Sequence, residues 1–447
     1  MPGPLEGIKV LDMCAFINGP SATGQMCEQG AEVLKIEQSF GESMRLSGGG
    51  PGIYFAGFEL YNRGKRSMTL DLKHPGSREV MKRLVQWADV LAENFTPGVM
   101  DRLNLGYDVV KAWNPKIIYA SNSGFGPTGE WAERPSYDGM AQGFTGVLTN
   151  NGGGPSHEPR PVGWTFSDVV GGNYFYSAIL AALVARERTG KGNHVICSQA
   201  GATLYFQRVE ISQVLDNAGG KSADDGKHSW QRLAFQGAYR AADGKGVVVS
   251  ATKLDQLKRF VVDTLGRPDI LTPALTKRWP VARPADCDKL RQQIQSVVGT
   301  KPVQHWIDKL VANKVPCSPV STYYDLSDQS GSVGKHMHDN GYIVDVHNRD
   351  FGDIAWVGTP STFSNTPNAD PTKLDSWHSP YIGEHTDEML SALGFTASEA
   401  AGLKSTGVVP APKGPFTQEN SKAGKVKYAA KMKARKAAYR AALKSKL

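Results

Sequence analysis

Over the first 125 residues, short apolar runs alternate with longer stretches of helical periodicity. "GIKVLDM" (7–13), "AEVLKIE" (31–37), "SMTLDL" (67–72), "DVLAENF" (89–95) and "KIIYASNSGFG" (116–126) predict strands. "GPSATGQMCEQG" predicts a loop entering a helix that Gly30 ends, and "SREVMKRLVQWA" a helix with Val80, Leu84 and Trp87 on one face. Strand–helix–strand order implies parallel pairing through crossovers, hence an α/β large domain of Rossmann type. Further on, "TFSDVVGGNYFYSAILAALVA" (165–185) places Asp168 ahead of seventeen residues without formal charge. Phe175, Ile179 and Leu183 form one row four apart, and Tyr176, Leu180 and Val184 the next, which predicts a core helix with a broad apolar stripe. "RERTGKG" closes it with basic residues and Gly190, and "HVICSQA" returns as a strand.

Beyond residue 224 the pattern changes. "GAYRAADGKGVVVSAT" reads as a hairpin, followed by the helical patterns "KLDQLKRFVVDTL" and "VQHWIDKLVANK" and then "VPCSPV". The predicted organisation is a large domain from 1–224, a smaller α+β domain over 225–325, a return to the large domain over 326–412 with a helix near "EHTDEMLSALG", and a tail from 413–447.

Composition refines this picture little. With 40% hydrophobic and 21% charged residues in 447, the chain reads as an ordinary soluble globular protein. The net charge of +8 is misleading as a global property. Residues 421–447 hold ten Lys or Arg and no acid, so the remaining 41 bases against 43 acids net −2. The basicity is a tail of helix-favouring Ala, Lys and Arg, and a nucleic-acid partner is not expected. "MPGPLEGIKV" has neither the basic nor the apolar region of a secretory signal, and the long apolar run is broken by Gly171, Gly172, Asn173 and Ser177. A cytoplasmic protein without a membrane partner is expected. The five cysteines have no CxxC spacing, which suggests buried thiols rather than zinc. His336 and His338, two apart, would share a face of a strand but make a weak metal pair, and no metal site is expected. No GxGxxG follows the first strand, so a bound dinucleotide is not expected, and neither a GxSxG elbow nor a P-loop occurs.

Asp168 invites two readings. A carboxylate at a helix start accepts hydrogen bonds from first-turn N–H groups, and it is also a nucleophile held on a rigid support. The sequence pattern alone leaves both open.

A set of segments in fixed order bears on the choice: "LEGIKVLD", "GAEVLKIE", "NRGKRSMTLDLK", "ENFTPGVMDRLNLGY", "SGFGPTGEWAERPSYDGMAQ", "DVVGGNYFYSAILAALVARERTGKG" and "IGEHTDEMLSALG". Together, across about residues 5–400, the chain resembles the class III (CaiB/BaiF-type) coenzyme A-transferases. That resemblance implies CoA transfer from an acyl-CoA donor such as succinyl-CoA to a carboxylic acid, with a CoA thioester as substrate and no permanently bound cofactor. It implies an interlocked, ring-shaped dimer, either a homodimer or a pair with a homologous subunit. It makes Asp168 the catalytic nucleophile, and it carries CoA contacts onto Ile17, Asn18, Gln38, Leu70, Lys73, Asn94, Phe95, Arg102, Arg134 and Tyr137. Asp138 would orient substrate, while Gly171 and Gly172 would admit substrate to backbone N–H groups.

Two departures accompany it. Gln38 stands where formyl-CoA-transferring members have an arginine, and Ile17 where they have a glutamine, which speaks against formyl–oxalate specificity. The α-methylacyl-CoA racemases share the fold and form the alternative. Their His–Asp dipeptide is Tyr137–Asp138 here, and tyrosine, with a reference pKa of about 10, is a poor base near neutrality.

Overall fold

Strands that are apolar on both faces belong inside a parallel sheet covered by helices on each side, and the first strands of this chain meet that description. The computed structural model describes residues 3–45, 54–163, 165–216, 234–277, 284–349, 352–368, 378–414 and 417. Six strands, β1 (Lys9–Asp12), β2 (Glu32–Glu37), β3 (Arg66–Thr69), β4 (Val90–Glu93), β5 (Ile118–Ser123) and β6 (Asn193–Ser198), form one sheet. All pairings are parallel and the order is β3-β2-β1-β4-β5-β6, so the strand order reverses between β1 and β4. Such a reversal leaves a crevice at the carboxyl ends of the strands, where open α/β sheets bind ligands.

The helices along this stretch are, in chain order, α1 (Asn18–Glu28), α2 (Tyr54–Asn62), α3 (Ser77–Trp87), α4 (Val99–Arg102), α5 (Tyr107–Trp113), α6 (Asp138–Phe144), α7 (Val147–Gly152), α8 (Phe166–Thr189) and α9 (Gln199–Phe206). Alternate strand residues feed two cores. Leu11, Leu34 and Leu91 pack with Val80 and Leu84 of α3 and with Val110 of α5. Val10, Val33 and Ile118 pack with Met26 of α1 and with Phe175, Ile179 and Leu183 of α8.

Helix α8 is the predicted core helix, closed by Gly190 at φ 68°. By length and composition alone it is apolar enough to cross a membrane, but its first row is spent on the sheet. The expected broad stripe divides: Phe175, Ile179 and Leu183 are buried, whereas Tyr176 and Leu180 are half-buried and Val184 is exposed. Gly171 and Gly172 explain how close α8 and α1 come. A Cβ on Gly172 would overlap Ser21 Oγ and stand 2.6 Å from the carbonyl oxygen of Asn18, and one on Gly171 would stand 2.6 Å from Asn18 Nδ2.

The described residues divide into two compact units, one within 1–145, 163–207 and 341–447, the other within 146–162 and 208–340. The sequence limits 225–325 fall inside the second. Its predicted hairpin, Gln236–Arg240 with Gly246–Ser250, is joined by Cys317–Val320 in an antiparallel sheet. Helices Pro284–Val298 and Val303–Ala312 cover it, Trp306 Nε1 donating to Val298 O at 2.8 Å. The stretch 253–265 is a helix, Leu254–Lys258, that widens into a π-helix, Arg259–Thr264. His336 and His338 lie on a helix, Ser332–Asp339, not on a strand. Two residues apart on a helix point about 200° apart, so the expected shared face does not exist. In the first unit, a hairpin the pattern did not predict pairs Ile343–Asn348 with Gly352–Val357, and the predicted helix is Thr386–Ala392. The basic tail from 421 lies outside the described residues.

Candidate active site

The site begins with a loop that side chains pin from several directions. Between β1 and α1 the backbone runs through Phe16 at φ 61°, a left-handed conformation uncommon for a bulky residue. Cys14 N–H donates to Asp12 Oδ1 (2.9 Å), and Lys35 Nζ donates to Cys14 O (2.6 Å). Ala15 N–H donates to Asn94 Oδ1 (2.8 Å), whose Nδ2 returns a bond to Ala15 O (2.9 Å), and Phe16 N–H donates to Glu42 Oε2 (3.0 Å). Beneath the loop, Asp12 accepts from Lys65 Nζ at 2.9 Å and lies 3.8 Å from Lys35 Nζ, all three side chains fully buried. Burial alone would raise the Asp12 carboxyl, but the two ammonium groups outweigh it and hold the carboxyl well below its usual range. An ionic cluster therefore fixes the loop at the point where the strand order reverses.

Asn18, at the start of α1, is buried, and its Oδ1 accepts from Asn122 Nδ2 at the end of β5. Its amide faces Gly171, so the start of α1 packs against α8 one turn beyond the first turn of that helix.

Asp168 occupies that first turn, but it is not the cap. The N-cap residue Thr165 makes no side-chain cap bond. Instead Asp138, the first residue of α6, accepts from Ser167 N–H (2.7 Å) and Asp168 N–H (3.1 Å) through Oδ1. Its Oδ2 accepts from Gln142 Nε2 at 2.6 Å. One acid caps the helix from outside and leaves the carboxylate of the other free of backbone duty. Asp168 Oδ1 accepts from Gln199 Nε2 at 2.6 Å. Tyr61 of α2 shares a hydrogen bond with Thr165, and its phenol is pushed up by burial and by the nearby Asp168 and Asp138 carboxylates.

Burial, reinforced by Asp138, raises the Asp168 carboxyl from 3.8 to about 7. A helix N-terminus favours an anion, yet here the positive end is largely occupied by Asp138. The fold thus holds Asp168 poised between its two protonation states near neutrality.

The remaining predicted residues divide. Ile17, Gln38 and Phe95 lie just past the carboxyl ends of β1, β2 and β4, with Gln38 exposed and the other two half-buried. Lys73 and Arg102 are exposed after β3 and β4. Arg134 is engaged, 3.0 Å from Glu130 and stacked 3.8 Å over Trp131. Tyr137 is 52% exposed, edge-on to Phe16 at 5.3 Å.

Three expectations need correction. The Leu70 side chain is fully buried among core residues and cannot meet a ligand. Both ends of the Asn94 amide serve Ala15, which makes Asn94 a fastener of the loop. Gly171 and Gly172 lie in the second turn of α8, where helical N–H groups bond to carbonyls four residues back, and their bare Cα atoms face α1. They admit a helix, not a substrate.

A cavity of about 620 Å³ opens beside β4 and β5, lined by Phe95, Asp101, Tyr107, Tyr119 and His194 among others. His194 stacks on Tyr107 at 4.6 Å, and burial pulls its pKa down. Asp168 does not line this cavity. Among the described residues no group of three or more His, Cys, Asp or Glu is arranged to hold a metal ion. Gln199 escaped the sequence reading: it follows a strand directly, and only the tertiary fold brings it to Asp168.

Comparison with known proteins bears directly on this site. The chain belongs to the family described as CoA-transferase family III, whose pattern matches residues 5–386. It is 34% identical over 338 residues to an acetyl-CoA:oxalate CoA-transferase of Acetobacter aceti, covering 75% of this chain and 85% of the relative. It is 30% identical to a formyl-CoA:oxalate CoA-transferase of Streptomyces coelicolor, covering 91% and 99%. A crystal structure of a CaiB/BaiF family protein from Brucella suis superposes with a TM-score of 0.71 at 30% identity, covering 88% of this chain and all of that one. The protein is a CoA-transferase, moving CoA between an acyl-CoA and a carboxylic acid.

Proposed function

We propose that Asp168 is the nucleophile of this CoA transfer and that the reaction runs through covalent aspartyl intermediates. The observation that carries the reading is the division of labour between two acids: Asp138 caps α8, so the Asp168 carboxylate stays available at a half-buried position. An Asp168 oxygen attacks the thioester carbonyl of the donor, giving a mixed anhydride and CoA thiolate. The thiolate attacks the aspartyl carbonyl and expels the donor acid, leaving an aspartyl-CoA thioester. The acceptor carboxylate attacks that carbonyl, CoA thiolate leaves and returns to the acceptor carbonyl of the new anhydride, and Asp168 is released as carboxylate. The activated acyl bond is conserved at each step.

In this reading CoA lies along the carboxyl edge of the sheet, with Ile17, Gln38, Lys73 and Phe95 beside it and Arg102 meeting a phosphate. Arg134 would join by exchanging Glu130 for phosphate, and Tyr137 by the exposed face of its ring. The relatives that accept oxalate favour a small carboxylic acid as acceptor, and half-buried Ile17 gives the mouth of the site an apolar wall.

A second chain completes the assembly. Leu204, Tyr205 and Phe206 of α9 are 44–55% exposed, with Tyr205 and Phe206 edge-on to Tyr174 and Phe166 of α8, apolar surface of the kind that marks an interface. Sedimentation is expected to give the mass of two chains, and a single-chain mass would contradict the dimer.

The pH dependence follows from the direction of the Asp168 shift. The attacking form is the carboxylate, and protonation near pH 7 removes it. With free enzyme, kcat/KM is therefore expected to rise about tenfold per pH unit below 7 and to level off above 8. A flat profile from pH 5 to 8 would contradict a carboxylate nucleophile held in this environment.

A further inference from the structure

We infer that Gln199 is a positioning residue for the nucleophile, its amide turned by Ser136 so that the NH2 end meets Asp168; this rests on the nucleophile reading above. Ser136 Oγ donates to Gln199 Oε1 at 2.9 Å, and Gln199 Nε2 donates to Asp168 Oδ1 at 2.6 Å. A glutamine presents opposite chemistry at its two ends, a donor pair and an acceptor. With the hydroxyl proton on Oε1, the end that faces Asp168 is the donor, which favours the carboxylate and fixes one of its oxygens.

The elements around this relay are built to hold it. Gln199 is 3% exposed and opens α9, which Ser198 caps by accepting from Gly201 N–H at 3.0 Å. Ala200 N–H donates to Gly124 O at 2.9 Å, tying the start of α9 to the loop after β5. Gly124 in turn lets Ser136 approach, because a Cβ there would overlap Ser136 Cβ. The backbone thus brings the hydroxyl, amide and carboxylate into line from three separate segments. Among the described residues, the other titratable groups acting on Asp168 are Asp138 of α6 and Tyr61 of α2. Neither supplies a positive charge, and among the described residues the Gln199 amide is the side chain that donates to the Asp168 carboxylate.

The test compares pH profiles of kcat/KM for the wild type, Gln199→Leu, Ser136→Ala and Asp168→Asn. Loss of a charge-assisted hydrogen bond is worth roughly one pH unit or more. Gln199→Leu is expected to move the acid limb up by about one unit, lowering kcat/KM about tenfold more at pH 6 than at pH 9. Ser136→Ala is expected to move it in the same direction by less, and it decides the matter if Gln199→Leu does not fold. A merely structural role would lower activity evenly across the range. If Asp168→Asn is inactive while both other variants keep the wild-type limb, the inference is overturned and the nucleophile stands. If Asp168→Asn retains full activity, the nucleophile reading fails and this inference with it.

Discussion

Replacing Asp168 by asparagine is expected to lower turnover by at least about 10³-fold at every pH, because the amide cannot form the anhydride. The same variant is expected to fold at least as well as the wild type. The folded state holds the Asp168 proton up to about pH 7, whereas the unfolded chain releases it near 3.8. Between those values the folded chain binds more protons, so Asp168 costs the fold stability progressively as pH rises through that window. An uncharged Asn, still able to accept from Gln199, removes a cost of at most about 4 kcal/mol at pH 8 and removes nothing at pH 3. Thermal unfolding at the two pH values checks this, and the pairing matters: an inactive but stabilised variant separates chemistry from folding. Unaltered turnover by Asp168→Asn is the result that rejects the assignment.

The largest expected loss of stability lies elsewhere, at Asp12. Asp12→Asn leaves the buried ammonium groups of Lys35 and Lys65 without their shared counter-ion. Breaking a buried ion pair from one side costs about 3–5 kcal/mol, which at a slope of about 1–3 kcal/mol per molar lowers the urea midpoint by at least about 1 M. Asp12 is depressed in the fold, so its contribution is present above the unfolded carboxyl pKa of about 4 and is lost as pH falls below it. The gap between variant and wild type should narrow in that acid range. Because Asp12 and Lys35 also hold Cys14, the loop through Phe16 should loosen. A midpoint within 0.3 M of the wild type would show that the cluster contributes little net stability.

These two residues also mark how far the sequence could be read. Strand–helix alternation and double-sided apolar strands sufficed for the parallel sheet, since those patterns follow from burial alone. Lys35 and Lys65 are polar letters within strands and turns, and nothing local reveals that they meet at Asp12. The hairpin Ile343–Asn348 with Gly352–Val357 does not stand out in the pattern, because the alternation Val344–Asp345–Val346–His347 spans only four residues. His336 and His338 share a face only if the segment is a strand, and two histidines alone do not tell a strand from the helix that forms. At the site, the resemblance gave a neighbourhood more dependably than roles. Asn94, Leu70, Gly171 and Gly172 serve fastening and packing in the fold. That Asp138, thirty residues away, caps α8 in place of Asp168 is a contact that a local pattern does not contain.

Oxygen transfer offers the most direct test of the covalent route. Each acceptor molecule that attacks the aspartyl-CoA thioester leaves one of its carboxylate oxygens on Asp168 when the anhydride breaks. Turnover with an acyl-CoA and an 18O-labelled acid that the enzyme accepts, followed by peptide mass spectrometry, should give a gain of 2 Da per oxygen, confined to the peptide and then to the side chain of Asp168. Label on a different residue, or none after many turnovers, would mean that the acyl group never passes through this carboxylate.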